Sequence, residues 1–449
     1  MTPELLAKYS AQVPRYTSYP TAPHFGAAVD RGRYRAWLGA LAADEPLSLY
    51  LHVPFCNKLC WYCGCHTTIV NAYPPVAAYA DLLVREIELV ADALGSRHAV
   101  SHVHWGGGTP TIMSGEDFLA VTGCLRRRFD FSRETEIAVE IDPRGLEWET
   151  VEALAGAGVT RASLGVQDFH HNVMARVNRV QSYAVTARAV GLLRHAGIAD
   201  INFDLMYGLP LQTAESLVET VDAALELEPA RIALFGYAHV PWMKRHQRLI
   251  DESELPGAVE RWRMAAAAAA RLCERGYIAI GLDHFARPDN DLARALTERR
   301  LRRNFQGYTT DCADTLLGFG ASAIASLPQG YAQNETRIPG YRKAISGGFL
   351  ATTRGVPLSG EDRLRRDIIE RLMCYLAVDL EEVCREHGET RARFAAEIET
   401  LKSLSEDGLV RVAGARIRVT EEGRPLVRSV CAAFDTYLGG GEARHAAAV

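Results

Sequence analysis

No stretch of the 449-residue sequence approaches the roughly 20 consecutive apolar residues that a membrane-spanning helix needs, so no span is expected. The first ten residues mix charged and apolar types and lack the apolar core of a secretory leader; a soluble, cytoplasmic chain is expected. An excess of basic charge is also missing. Lys and Arg total 50 against 55 Asp and Glu, a net charge of -5, which excludes a global positive field for nucleic acid or an anionic lipid surface. Any anionic ligand must therefore meet locally placed cations. There is no internal repeat beyond a βα period. What is plentiful is apolar side chain, 48% of the chain, enough to bury one large core and a smaller one.

Short β-rich runs alternate with helix-patterned stretches between about residues 45 and 285. The runs are 47–53, 102–105, 136–141, 161–167, 201–207 and 231–237, and the stretches between them, such as 77–94, 116–128, 183–195 and 214–227, carry apolar residues at helical spacing. This order predicts an α/β fold, a partial (β/α)6 TIM-like barrel of parallel strands. From about Gly360 a charged helical stretch and the hairpin-like 408–420 predict a small, mostly helical, winged-helix-like C-terminal domain. The expected division is 1–45 as an N-terminal extension over the barrel mouth, 46–350 as the barrel, and 351–449 as the C-terminal domain. The Gly- and Ala-rich stretch 439–449 is expected to fray. Ligand chemistry on such barrels sits at the C-terminal strand ends, where the βα loops converge.

Directly after the first run comes Cys56-Asn-Lys-Leu-Cys60-Trp-Tyr-Cys63-Gly-Cys65. Ten cysteines with four so clustered do not read as a secreted disulfide framework. Three thiolates at spacings of four and three can hold a 4Fe-4S cluster and leave one iron open to an outside ligand. A four-thiolate zinc site is the competing reading, but it usually pairs two knuckles, and no second knuckle follows. Cys124, Cys273, Cys312, Cys374, Cys384 and Cys431 lack ligand spacing and read as small core residues.

The second run ends in Gly106-Gly107-Gly108-Thr109-Pro110, where glycines let backbone approach a ligand closely; a tight turn is the bland reading. The third ends in Glu140-Ile141-Asp142, a carboxylate at the mouth, fit to accept from ribose hydroxyls or simply solvated. Gln167-Asp168, Asn178-Arg179 and Asp204 add polar groups at the same level.

The cysteine loop with its following glycine run resembles the radical S-adenosylmethionine superfamily. The resemblance to the oxygen-independent coproporphyrinogen III oxidase family extends over 15–21, 50–65, 105–110, 165–169, 177–179, 235–239, 283–288 and 304–310. It implies Cys56, Cys60 and Cys63 as the ligands of a 4Fe-4S cluster, and Tyr50, Gly107, Glu140 and Ile324 as holding S-adenosylmethionine. Tyr62, Gly108, Thr109, Gln167, Arg179, Asp204 and Ala238 match positions that contact a second molecule of it. Cys65 and Tyr50 match the positions expected to take part in catalysis; a plain thiol is the other reading of Cys65. The family's reaction turns two propionate side chains of coproporphyrinogen III into vinyl groups.

Arg15, Lys58 or the 299–303 arginine cluster are candidate holders of the propionates, although a charge run is also an ordinary solvated face. Trp61 and Cys312 depart from the family pattern. The implied partners are coproporphyrinogen III and a reducing electron donor such as flavodoxin or ferredoxin, without nucleic acid, and a monomer is expected. A haem-binding chaperone of the same superfamily is the alternative, and Cys65, 15–21 and 304–309 speak against it.

Overall fold

A computed structural model describes residues 2–9 and 12–438; the expected fraying of 439–449 lies outside these. Twelve strands form one sheet. In chain order they are β1 Leu47–Val53, β2 Ala99–Gly107, β3 Asp130–Ile141, β4 Arg161–Gln167, β5 Asp200–Tyr207, β6 Arg231–Gly236, β7 Ile278–Ile280, β8 His284–Ala286, β9 Thr315–Phe319, β10 Ile324–Leu327, β11 Gly330–Asn334 and β12 Thr352–Pro357. The spatial order is β12-β11-β10-β9-β1-β2-β3-β4-β5-β6-β8-β7. Strands β1 to β6 are consecutive parallel neighbours, as the alternation predicts. The sequence reading did not anticipate β9, which adds in parallel on the free side of β1. Antiparallel strands finish both edges, so the sheet is an open, partial barrel.

Strand β1 shows why these segments extend. Leu47, Leu49, Leu51 and Val53 are fully buried on the face that helices cover, while Ser48, Tyr50 and His52 alternate onto the other. Helices Pro74–Leu94, Gly115–Arg128 and Tyr183–His195 supply that cover. The inward face is unusually polar: His102, Glu136, Arg161, Asn202 and Asp204 line an interior cavity of 140 Å³. Buried polar groups of this kind need partners, and Glu136 with Arg161 (2.8 Å) and Asn202 with Asp204 (2.8 Å) provide them.

Beyond β12, helix Gly360–Tyr375 starts on a capping box, with Ser359 and Asp362 each bonding the other's backbone N–H. A three-stranded sheet, 377–379, 416–419 and 410–413, follows; its second pair is the predicted hairpin. Leu6, Val13, Tyr16 and Tyr19 from the start of the chain are buried in this region's core, beside Leu372, Val427 and Phe434. The described part of 12–21 forms no helix.

Candidate active site

The thiol loop leaves β1 and is fixed from three sides. Strand Phe55–Cys56 pairs with Thr68–Ile69, closing its base. The glycine strap after β2 then crosses it: the Gly108 N–H bonds the Val53 carbonyl (2.9 Å) and the Thr109 N–H the Phe55 carbonyl (2.8 Å). A Cβ on Gly108 would lie 2.5 Å from the Phe55 oxygen, and Gly107 takes a φ of +122°, so the run is required by the fit of strap to loop. From the third side, Lys244 Nζ, His246 Nε2 and Gln247 Nε2 reach the carbonyls of Cys65 (2.9 Å), Cys63 (2.8 Å) and Tyr62 (2.9 Å). Asn178 Nδ2 holds the Leu59 carbonyl at 2.8 Å.

Each of the three expected ligand sulfurs accepts a hydrogen bond. Thr67 Oγ1 donates to Cys56 Sγ (3.2 Å), Arg144 and Arg179 each place a nitrogen 3.5 Å from Cys60 Sγ, and the Cys65 N–H points at Cys63 Sγ (3.4 Å). The Cys65 side chain, then the Cys65 amide and the charges of Lys244 and Arg179, bring the Cys63 thiol down to about 6 against burial. The same contact pushes the Cys65 thiol well up, and burial raises Cys56. Donors aimed at sulfur suit a thiolate that binds metal. Among the described residues no three His, Cys, Asp or Glu side chains form a group able to hold a single metal ion. Three thiols on one loop, each with a donor aimed at its sulfur, fit a cluster with one thiolate per iron, and Cys56, Cys60 and Cys63 would hold it.

Beside the loop, Tyr50 OH bonds His52 Nδ1 (2.9 Å), and His104 Nε2 lies 3.1 Å from Glu140 Oε1, whose other oxygen accepts the Gly107 N–H (3.1 Å). Burial works to raise the Glu140 carboxyl, but the His104 bond and charge outweigh it and leave it below the usual range. Asp204 is pushed up to about 6, chiefly by burial and next by the Glu140 charge. Gln167 and Arg179 converge over Gly165. Tyr50 pairs with Gly318 of β9, and Ile324 lies against that glycine. Ala238 gives its carbonyl to Gln247 (3.2 Å) at the edge of the large cavity. The structure thus gathers Tyr50, Tyr62, Gly107, Gly108, Thr109, Glu140, Gln167, Arg179, Asp204, Ala238 and Ile324 at one end of the sheet.

Of these residues Ala238 also lines a cavity of 910 Å³ between barrel, N-terminal segment and C-terminal region. Leu234, Phe235, Trp262, Phe285 and Phe305 give it apolar walls, and Arg15, Arg261, Arg303, Arg424 and Arg428 line it. Only Arg15 and Arg303 were among the expected cations. Lys58 is exposed elsewhere on the loop, while Arg300 and Arg302 pair with Glu298 and Glu370 as surface charges do. Arg261, Arg424 and Arg428 were missed because none lies in a run of consecutive arginines. Arg144 was missed too, although it directly follows the Asp142-Pro143 strand end. Two cysteines correct the core expectation: Cys273 and Cys312 are exposed, whereas Cys124, Cys374, Cys384 and Cys431 are buried. Cys273 lines the cavity, and Cys312 sits on a loop where its Sγ bonds the Thr310 carbonyl (3.4 Å).

A family model described as the Radical SAM superfamily matches residues 50–224, and one described as the HemN C-terminal domain matches 358–426. An oxygen-independent coproporphyrinogen III oxidase from Bradyrhizobium diazoefficiens is 52% identical over 100% of both chains. Its counterpart from Paracoccus denitrificans is 44% identical over 97% of this chain and 96% of that one. The solved structure of coproporphyrinogen III oxidase (HemN) from Escherichia coli, described as a radical SAM enzyme, matches with a TM-score of 0.90 and 38% identity over 95% of this chain and 100% of that one. With full-length relatives at this identity, and with the thiol loop, glycine strap and C-terminal region all in place, the chain belongs to the oxygen-independent coproporphyrinogen III oxidases, a family of radical S-adenosylmethionine enzymes.

Proposed function

We propose that this chain decarboxylates two propionate side chains of coproporphyrinogen III to vinyl groups, giving protoporphyrinogen IX. The observation that carries this reading is the cavity's charge. Five arginines face three acids there, Asp283, Glu421 and Glu422, so the cavity is net positive in a chain of net charge -5. Apolar walls ringed by guanidinium groups suit a tetrapyrrole with four carboxylates, because guanidinium forks pair with carboxylates bidentately.

When bound, a reduced 4Fe-4S cluster with S-adenosylmethionine supplies a carbon radical able to take a hydrogen atom from a propionate. Loss of that hydrogen from the carbon next to the ring, of carbon dioxide and of one electron to an outside acceptor leaves the vinyl group. The chain's own residues bind, orient and exclude water. Cys56, Cys60 and Cys63 would hold the cluster. Glu140, ionised and braced by His104 and Gly107, offers an acceptor for the amino or hydroxyl groups of S-adenosylmethionine. Gln167, Arg179 and Asp204 give a second set of polar groups, matching a second such molecule. Arg15 and Arg303 are fixed to each other and to β6, through Arg303 Nη2 to the Arg15 carbonyl (3.4 Å) and Arg15 Nη2 to the Gly236 carbonyl (3.2 Å). Propionates would thus meet prepositioned cations. Tyr50, expected with Cys65 to take part in catalysis, bonds His52, whose other ring nitrogen lies 2.9 Å from the carbonyl of His66, the residue after Cys65. No helix among the described residues is long and apolar enough to cross a membrane.

The test is anaerobic reconstitution with iron and sulfide, followed by reductant, S-adenosylmethionine and coproporphyrinogen III, with chromatography of porphyrins and 5′-deoxyadenosine. Protoporphyrin after oxidation, lost in Cys56→Ala, is expected. If 5′-deoxyadenosine forms while coproporphyrinogen stays intact and the protein retains added haem, the oxidase reading falls to the chaperone reading.

A further inference from the structure

The turn after β3 carries a charged cluster aimed at one sulfur. Arg144 donates Nε to Asp142 Oδ1 (3.0 Å) and Nη2 to Oδ2 (2.6 Å). Arg179 places Nη1 3.2 Å from Oδ2 and Nη2 3.4 Å from Oδ1 of the same carboxylate. One aspartate therefore aligns two guanidinium groups, and both also point a nitrogen at Cys60 Sγ, each at 3.5 Å.

Water is largely kept out: Cys60 is 7% exposed, and the Arg144 and Arg179 side chains are 16% and 6% exposed. In such surroundings charges act strongly on each other. Two guanidiniums against one carboxylate leave a net positive charge beside the middle sulfur of the loop. Arg179 is also committed to the Gly165 carbonyl. The side-chain hydrogen bonds described for Arg144 go to Asp142 and Cys60 alone, so its place serves this cluster of groups.

We propose that Arg144 is a positioning residue which, with Asp142 and Arg179, sets the reduction potential of the iron-sulfur cluster that Cys60 would help to hold, making it easier to reduce. This rests on the ligand assignment made above. Hydrogen bonds to cluster sulfurs and nearby charge are the protein's main levers on such potentials, and a fixed positive charge favours the form that holds one more electron. In the step concerned, one electron passes from an external reduced one-electron carrier. No bond breaks, and Arg144 stays protonated throughout.

The test compares wild type with Arg144→Lys, Arg144→Gln and Arg144→Met, each reconstituted anaerobically. Iron and sulfide contents are measured first. The potential then comes from redox titration followed by the electron paramagnetic resonance signal of the reduced form, without turnover. Loss of a hydrogen bond between charged partners shifts an equilibrium about tenfold or more, so the ratio of reduced to oxidised cluster at a fixed poise should fall by about that factor in the Met and Gln variants. For a one-electron couple this is about 59 mV toward lower potential. Lysine keeps the charge without the fork, so its variant should lie between them and wild type. If the Met protein takes up no cluster, the order wild type above Lys above Gln still decides. Equal potentials at full cluster content would show that Arg144 merely braces the turn. A wild-type protein that takes up no four-iron cluster would instead overturn the ligand assignment, which is a separate failure.

Discussion

Gly108→Ala adds one methyl group at the point where the glycine strap crosses the thiol loop. The new Cβ would lie 2.5 Å from the Phe55 carbonyl oxygen and 2.6 Å from Thr67 Oγ1, where ordinary contact begins at 3.4 Å. The threonine hydroxyl can rotate, at the cost of the bond it gives Cys56. The carbonyl cannot, because Phe55 is held in its two-stranded ladder and its oxygen accepts from Thr109. Strap and loop must part by about 1 Å to restore normal contact, and Cys56 is the next residue along. Overpacking of this kind costs about 1–3 kcal/mol, too little to unfold the chain but enough to move the first ligand. Misplacement of about 1 Å can cost roughly a hundredfold in rate. The expected outcome is folded protein with reduced iron content and 5′-deoxyadenosine formation down by about two orders of magnitude, measured by chromatography. Gly64→Ala is the control, since its Cβ would meet nothing within 4 Å. Equal activity of Gly108→Ala and wild type would refute the argument that strap and loop are sterically locked.

Glu86 is 2% exposed and accepts from the Gly320 N–H (2.6 Å), Asn334 Nδ2 (2.7 Å) and Tyr341 OH (2.8 Å). Burial pushes its carboxyl up to about 7. Because the folded value is raised, its contribution to stability is full below about pH 4.5 and is lost as pH rises through about 7, a change of about 3 kcal/mol at about 1.4 kcal/mol per unit. Glu86→Gln should flatten that part of the stability profile between pH 5 and 8 in urea melts; an unchanged slope would count against it. Arg303→Met should raise KM for coproporphyrinogen III by about tenfold or more with little change in substrate-free S-adenosylmethionine cleavage, as steady-state assays would show. Ser359→Ala removes the N-cap of helix Gly360–Tyr375 and should cost about 1 kcal/mol, seen as a lowered Tm with the cluster content intact.

Much of the barrel was legible because its signals are local. Strands Leu47–Val53 and Arg161–Gln167 and helix Tyr183–His195 have the expected bounds, since apolar periodicity marks them within a few residues. Strand β9 was not legible. Its five residues, Thr315–Phe319, return to pair with β1 after more than 250 intervening positions, and nothing in a short apolar run names so distant a partner. The site divides in the same way. Thiols spaced four and three apart announce themselves, whereas the cations of the cavity come from positions 15, 261, 303, 424 and 428 and become one feature only on folding. Arg144 lay in plain view after Asp142, but its target, Cys60, is 84 residues upstream.

The burial of Tyr16 and Tyr19 among residues far along the chain has a consequence for the cavity. Tyr16 OH bonds Asp435 (3.0 Å) and Tyr19 OH bonds Thr436 (3.0 Å), pairings that join positions more than 400 apart. Arg15 directly precedes Tyr16, so the clasp that ties the N-terminal segment to the C-terminal region also anchors one of the cavity's cations.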